Sequence, residues 1–223
     1  MPDDATRRET FGELTLAAFT ERLASGDAVP GGGSASAVAG ALGAALVAMV
    51  ATLSQGRPRY AEHATLHERA ITVGQRLSRR FLELADEDAE AYAGFNAASK
   101  MPRGTNEERS ARSAALSSAA RAASEVPLAT VEACLELVIT AEVLAGRSNA
   151  NASSDLNVAA QLGEAAARGA AENVLVNLPA VDDEAFAAEA TAQVIDQLDT
   201  IATLAAETHQ AVRSGSPRPP VPA

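Results

Sequence analysis

The stretch VPGGGSASAVAGALGAALVAMV (Val29–Val50) joins a proline and three glycines directly to a run of small, apolar, helix-forming residues. Alanine has the highest helix propensity and the run carries no charge, so it predicts a central helix buried on all sides. Glycines at a helix start allow close approach to the backbone, and the free N–H groups there favour an anionic or electron-rich ligand. We therefore expect a ligand-binding turn at Pro30–Gly33, with Ser34 as the N-cap of the helix.

The composition of the whole chain is typical of an all-helical protein. Of its 223 residues, 47% are hydrophobic but only 3% are aromatic, whereas strands favour β-branched and aromatic side chains. The formal charge of -11 disfavours nucleic-acid binding. The single cysteine, Cys134, excludes an internal disulfide and fits a buried core residue. The N-terminus lacks the apolar stretch of a signal peptide, which predicts a cytoplasmic protein.

Residues 35–53 are long and apolar enough to be compared with a membrane span. Alanine and glycine insert weakly, however, and no second apolar stretch exists for this one to pack against. A core helix is the better interpretation. The expected partner is therefore a small molecule and not a membrane.

Six helical segments are predicted, forming one up-and-down bundle with one long helix and no interdomain linker. Thr105 and Glu108 form a capping box for the fourth helix, which we expect to be interrupted or kinked at Pro127. The prediction is a single all-α domain over residues 1–213. Residues 214–223, SGSPRPPVPA, are rich in Pro, Gly and Ser and predict a disordered tail.

The third helix carries an aspartate on its packing seam, the line of residues that faces the neighbouring helices and is expected to be apolar. The seam positions alternate at spacings of four and three: Leu77, Phe81, Leu84, Asp88, Ala91 and Phe95. Burial of a carboxylate costs free energy and raises its pKa. Asp88 is therefore a candidate for proton transfer; the alternative is a structural carboxylate satisfied by a helix cap or an arginine.

Other polar residues are less specific. Asn173 and Asn177 lie on the seam of the fifth helix, where amides orient a polar ligand or fix helix register, and Asp155 at its start favours the helix dipole. His63 and His67 have the spacing of two zinc ligands. The glutamate of H-E-x-x-H is missing and no third ligand is evident, so no metal site is predicted.

Four stretches occur in a characteristic order: PGGGSASAVAGALGAALVAMV (30–50), DEDAEAYAGF (86–95), SEVPL (124–128) and SDLNVAAQLGEAAARGAAENVLVNL (154–178). Together they resemble the cyclodeaminase/cyclohydrolase family of folate enzymes, from about Leu14 to about Gln193. The resemblance implies an all-α homodimer that binds a one-carbon derivative of tetrahydrofolate.

The resemblance also assigns roles to individual residues. Asp88 matches the family's proposed proton donor. Substrate-binding positions of the family fall on Pro30, Gly31, Gly32, Gly33, Ser34, Asn149, Asp155, Asn173 and Asn177. Arg57 matches one member of a basic pair associated with the glutamate tail of the substrate, and Pro58 splits that pair here.

The resemblance implies a formimidoyltetrahydrofolate cyclodeaminase, which converts 5-formiminotetrahydrofolate to 5,10-methenyltetrahydrofolate and ammonia. A methenyltetrahydrofolate cyclohydrolase, which forms 10-formyltetrahydrofolate, is the first alternative. A non-catalytic helical scaffold or folate-binding protein is the second. A buried carboxylic acid can move the proton in either reaction, and neither reaction needs a metal or redox cofactor.

Overall fold

Residues 9–221 are described by the computed structural model of the chain. They form six α-helices and no strand: α1 Leu16–Leu23, α2 Gly32–Ser54, α3 Ala64–Ser99, α4 Asn106–Leu144, α5 Ser153–Asn177 and α6 Glu184–Ser214. Successive helices from α2 to α6 run antiparallel. The predicted all-α, up-and-down bundle is confirmed, and residues 1–8 of the predicted domain lie outside the described residues.

Side chains predicted from the sequence set several helix ends. The Thr105 hydroxyl accepts a hydrogen bond from the N–H of Glu108, whose carboxylate accepts one from the N–H of Thr105. Of the two predicted effects of Pro127, an interruption or a kink, the interruption is wrong, because α4 runs unbroken over 39 residues. Pro127 is buried in the bundle, and packing of the surrounding turns offsets its missing N–H donor.

Small residues let α2 and α3 approach backbone to backbone. A Cβ atom on Gly74 of α3 would lie 2.7 Å from the carbonyl oxygen of Ala44 and 2.9 Å from the nitrogen of Ala48. Likewise, a Cβ atom added to Gly40 of α2 would lie 2.7 Å from the buried ring of Phe81. The glycines of these helices are thus packing residues, required by the closeness of the neighbouring helix.

Gly74→Ala is expected to lower the free energy of unfolding by about 1–3 kcal/mol, because α2 backbone atoms must move to admit the methyl group. Gly94→Ala is the matched control on the same helix, since a Cβ there meets no atom within 4 Å. Alanine has the higher helix propensity, so the control should be neutral or stabilising. Chemical denaturation of the two variants checks this, and equal effects would contradict the packing.

α2 is buried on two sides only, which corrects the prediction of a helix buried all round. It is long and apolar enough to cross a membrane by length and composition. In this structure it packs between α3 and α5 as a core helix. Its third side carries exposed Leu42, Met49 and Leu53 and no charged residue. An uncovered apolar face of this length points to a further protein surface on it.

The C-terminal segment differs from the predicted disordered tail. Residues 215–221 form no helix or strand, yet they lie against the end of the bundle. The N–H of Arg218 donates to the carbonyl of Gly146, and its guanidinium donates to the carbonyl of Glu142 and pairs with the Glu142 carboxylate at 2.6 Å. Arg147 donates to the carbonyl of Pro219. Composition alone does not reveal such anchors, because a single arginine supplies most of them.

Candidate active site

The glycine segment is the first turn of α2 and not a separate loop. Gly31 is the N-cap residue and the helix begins at Gly32, so Ser34 lies inside the first turn and does not cap it as predicted. The peptide bond before Pro30 is cis. Among the described glycines, positive φ angles occur at positions 56, 146 and 215 and not in this turn. Backbone strain therefore does not explain these glycines, and lack of space explains Gly33 alone.

Asp88 of α3 reaches this first turn from the side. Its Oδ2 atom accepts a hydrogen bond from the Ser34 hydroxyl, with 2.9 Å between the two oxygens. The early N–H groups of a helix have no partner within the helix. The carboxyl of α3 thus lies at the N-terminus of α2, where the helix dipole favours negative charge.

The environment of Asp88 changes its acidity. Burial raises the pKa of this carboxyl above its ordinary value, because a charged carboxylate is poorly solvated there. The hydroxyl and N–H groups of Ser34 act in the opposite direction, and burial is the larger effect. A carboxyl with a raised pKa that is also half-buried has the properties of a proton-transfer group.

Gly33 and Gly32 meet different surroundings. A Cβ atom on Gly33 would lie 2.6 Å from Cγ and 2.7 Å from Oδ2 of Asp88, so only glycine leaves room for the carboxyl. One on Gly32 would meet only the side-chain nitrogen of Asn173, at 3.9 Å. The exposed side of the turn is therefore open between Gly32 and Asn173, beside the face that holds Asp88.

Asn173 and Asn177 lie at the same end of the bundle. The amide nitrogen of Asn173 donates to the carbonyl of Gly169, and that of Asn177 donates to the carbonyls of Asn173 and Ala123. Within residues 9–221 the structure shows no hydrogen bond to either amide oxygen. These bonds tie the asparagines to α5 and α4, and the two oxygens remain as acceptors for a ligand.

Arg57, Asn149 and Asp155 lie at the opposite end, which separates them from Asp88 within one chain. The 23 residues of α2 span about 33 Å between the two ends. Asn149 is buried, and its N–H donates to the hydroxyl of Ser54, the last residue of α2. The residues that match the family's substrate-binding positions therefore do not form one site within a single chain.

The two histidines also lie at that far end. His67 is fully buried, and its Nε2 atom lies 2.8 Å from the carbonyl oxygen of Arg147. The ring of His63 packs edge-on against it with centroids 6.3 Å apart. Within the described residues, no group of three or more His, Cys, Asp or Glu side chains could hold a metal ion.

Sequence reasoning missed a cleft between α3 and the segment before α1. This cleft of about 300 Å³ is lined by Glu9, Thr10, Phe11, Arg22, Val29, Asp86, Ala89 and Glu90. The segment before α1 forms one wall, where the N–H of Phe11 donates to the Asp86 carboxylate at 2.8 Å. The capping-box pattern of Thr10 and Glu13 would have predicted this ordered turn.

A bundle of six helices, with a half-buried carboxyl at the N-terminus of its core helix, defines the class of all-α protein. Comparison with known proteins then identifies the group. The sequence pattern of formiminotransferase-cyclodeaminases matches residues 15–196. The chain belongs to this family.

Three relatives illustrate its range. The methenyltetrahydrofolate cyclohydrolase of Methylorubrum extorquens is 36% identical, over 91% of this chain and 98% of the relative. The formimidoyltransferase-cyclodeaminase of Sus scrofa is 36% identical over 86% of this chain, which spans only 35% of that longer protein. The crystal structure of formiminotetrahydrofolate cyclodeaminase from Thermotoga maritima superposes with a TM-score of 0.82 at 27% identity, covering 91% of this chain and 98% of that one. The predicted family resemblance is confirmed.

Proposed function

We propose that this chain is an enzyme that converts a one-carbon derivative of tetrahydrofolate, with Asp88 as its proton-transfer group. The observation that carries the proposal is the Asp88 carboxyl, half-buried against the first turn of α2, with a raised pKa. Relatives named for this chemistry support the substrate class. The opening beside Gly32 and Asn173 and the cleft near Ala89 offer room for the ligand.

The first candidate reaction is the hydrolysis of 5,10-methenyltetrahydrofolate to 10-formyltetrahydrofolate. The cyclohydrolase relative and the cyclodeaminase of known structure are both covered to 98%, but the cyclohydrolase is 36% identical and the cyclodeaminase 27%. We therefore place hydrolysis first, whereas the sequence motifs placed cyclodeamination first. Ionised Asp88 would take a proton from the water that attacks the methenyl carbon. Neutral Asp88 would return that proton to N5 as the bond from carbon to N5 breaks, and the hydroxyl proton of the adduct would be released to solvent as the formyl C=O forms.

The second candidate is cyclodeamination of 5-formiminotetrahydrofolate. It is favoured by the raised pKa of Asp88 and by the single-domain cyclodeaminase of the same fold. N10 attacks the formimino carbon and loses its proton to ionised Asp88, and the amine leaves as ammonia after it accepts a proton from the resulting neutral Asp88. Both candidates use one group as acid and base, and neither needs a metal or redox cofactor.

One absorbance experiment distinguishes the candidates. The purified chain is incubated separately with 5,10-methenyltetrahydrofolate and 5-formiminotetrahydrofolate, and the absorbance of the methenyl form is followed. A cyclohydrolase accelerates its loss with the first substrate, and a cyclodeaminase accelerates its appearance with the second. Binding of either folate without turnover would contradict the proposal and favour a folate-binding protein.

We further propose a homodimer that pairs the exposed faces of α2 around a two-fold axis. The face carries Leu42, Met49 and Leu53 and is free of charge, so a second copy of itself can cover it. Two copies of a helix that pack against each other across a two-fold axis can run antiparallel. The partner subunit's Arg57 would then lie near Gly32 of this chain, reuniting the ligand-binding residues that one chain keeps apart.

Leu42→Glu is expected to convert the protein from dimer to monomer, since it places a charge in the middle of the apolar face. Sedimentation should give about twice the chain mass of 22.8 kDa for the unmodified protein and that mass for the variant. Ile195→Glu on α6 is the matched control, because Ile195 is also exposed but lies outside α2. A monomeric unmodified chain at micromolar concentration would rule out the dimer.

A further inference from the structure

Ser34 is completely buried, and its hydroxyl oxygen has two neighbours on α3. It lies 3.0 Å from the carbonyl oxygen of Ala85 and 2.9 Å from Oδ2 of Asp88. Ala85 and Asp88 are three residues apart on the helix, so the two oxygens flank the hydroxyl. Ser34 therefore faces the carboxyl and not the open side of the turn.

The oxygens of Ser34, Ala85 and Asp88 allow two hydrogen-bond arrangements, one for each protonation state of Asp88. The hydroxyl has one proton, and the carbonyl of Ala85 can only accept. When Asp88 is ionised, its carboxylate also only accepts, and the Ser34 proton bonds it best because the bond is charge-assisted. When Asp88 is neutral, its own proton can bond Ser34, whose hydroxyl proton then turns to Ala85.

We infer that the Ser34 hydroxyl is a switch that holds the Asp88 carboxyl in one place in both of its protonation states. Ser34 is then a positioning residue that acts through Asp88. This role rests on the proposed function, in which Asp88 gains and loses a proton in each cycle. When Asp88 gains or loses its proton, only the hydroxyl proton of Ser34 turns between Asp88 and Ala85. The carboxyl itself stays in place, which keeps the site pre-organised.

The charged side chains closest to Asp88 along α3 have other partners and do not take the place of the Ser34 hydroxyl. α2 has no charged residue. Asn173 of α5 is a neutral amide, and on α3 itself Asp86 accepts the N–H of Phe11 while Glu87 pairs with Arg80. Among the described residues, no charged side chain contributes to the altered pKa of Asp88, whose causes are burial and the two groups of Ser34.

Ser34→Ala removes the hydroxyl and leaves the N–H of residue 34 in place. Because hydroxyl donation favours the ionised form, its loss should move the pKa of Asp88 upward. Ser34→Thr keeps a hydroxyl and should restore the titration midpoint toward that of the unmodified protein. Thr208→Val is the control for loss of a buried hydroxyl elsewhere, since Thr208 bonds the carbonyl of Leu204 on α6.

Carbon-13 NMR of the aspartate carboxyl carbons, with Asp88 assigned from Asp88→Asn, measures these midpoints without any catalysis. The expected result is a higher midpoint in Ser34→Ala, a restored one in Ser34→Thr and an unchanged one in Thr208→Val. An unchanged or lower midpoint in Ser34→Ala overturns the switch. If turnover is present, kcat should fall in Ser34→Ala with little change in KM, and its pH profile should move in the same direction.

A second measurement uses the unmodified protein, so the proposal does not depend on a variant that folds. Protonation of Asp88 should bring the Ser34 proton to the carbonyl of Ala85. The carbonyl carbon of Ala85 should therefore shift with the same midpoint as the carboxyl of Asp88. A flat Ala85 signal across that range would overturn the switch, whereas absence of folate turnover with matching midpoints would count only against the proposed function.

Discussion

Asp88→Asn is expected to lower the turnover number by about 100-fold or more, the range associated with loss of a general acid–base group. The amide keeps the shape of the side chain and can still accept the hydroxyl proton of Ser34, so the contact between α3 and the first turn of α2 should be kept. Only the titratable proton is removed. Steady-state kinetics on the accepted folate substrate measures the effect, and a folded variant with near-normal turnover would remove Asp88 from the chemistry.

The raised pKa of Asp88 also predicts the direction in which Asp88→Asn changes the stability of the protein. Because burial raises the folded-state pKa of Asp88 above the ordinary value of 3.8, ionisation of the carboxyl weakens the folded state. That cost is absent below the ordinary pKa and develops as the pH rises from there through the folded-state pKa. Asp88→Asn should thus melt higher than the unmodified protein at neutral pH, and the advantage should disappear near pH 4. A lower melting temperature at neutral pH would mean that the ionised carboxyl stabilises the folded state, which would contradict the raised pKa of Asp88.

Gly33→Ala is expected to lower turnover by about 10- to 100-fold while the protein stays folded. The new Cβ would lie 2.6 Å from Cγ of Asp88, so the carboxyl must swing away from the first turn. The end of a side chain moves more easily than backbone, which spares the fold. A misplacement of about 1 Å is enough to cost two orders of magnitude in rate.

Gly94→Ala is the control for this substitution as well. Gly94 lies on α3 six residues beyond Asp88, and a Cβ there meets no atom within 4 Å. Turnover and melting temperature of the control should match those of the unmodified chain. If Gly33→Ala retained full turnover, the carboxyl could not be held where the structure has it.

Much of the bundle could be predicted because local signals agree with the packing. The capping box at Thr105 and Glu108 and the N-cap at Asp183 fix helix ends through contacts within three residues. The seam of α3 correctly placed Leu77 and Phe81 in the core. It also singled out Asp88, because a carboxylate in an apolar seam is costly whatever its partner is.

Other features depend on contacts between distant residues and could not be predicted. The sequence pattern could not tell that Gly33 makes room for Asp88 rather than for a ligand, since the two residues lie on different helices. It did not show that Ser34 lies inside the first turn of α2 and donates its hydroxyl proton to Asp88, because that contact joins two helices. The anchoring of the tail by Arg218 likewise depends on carbonyls far away in the chain.

The central claim is that folate chemistry takes place beside Asp88, and a crystal structure with a bound reduced folate tests it most directly. A stable 5-formyl derivative of tetrahydrofolate is a suitable ligand. We predict that its one-carbon atom lies about 3–3.5 Å from a carboxyl oxygen of Asp88, with the ring system beside Gly32 and Asn173. A folate bound elsewhere, with Asp88 still enclosed by Gly33 and Ser34, would contradict the claim.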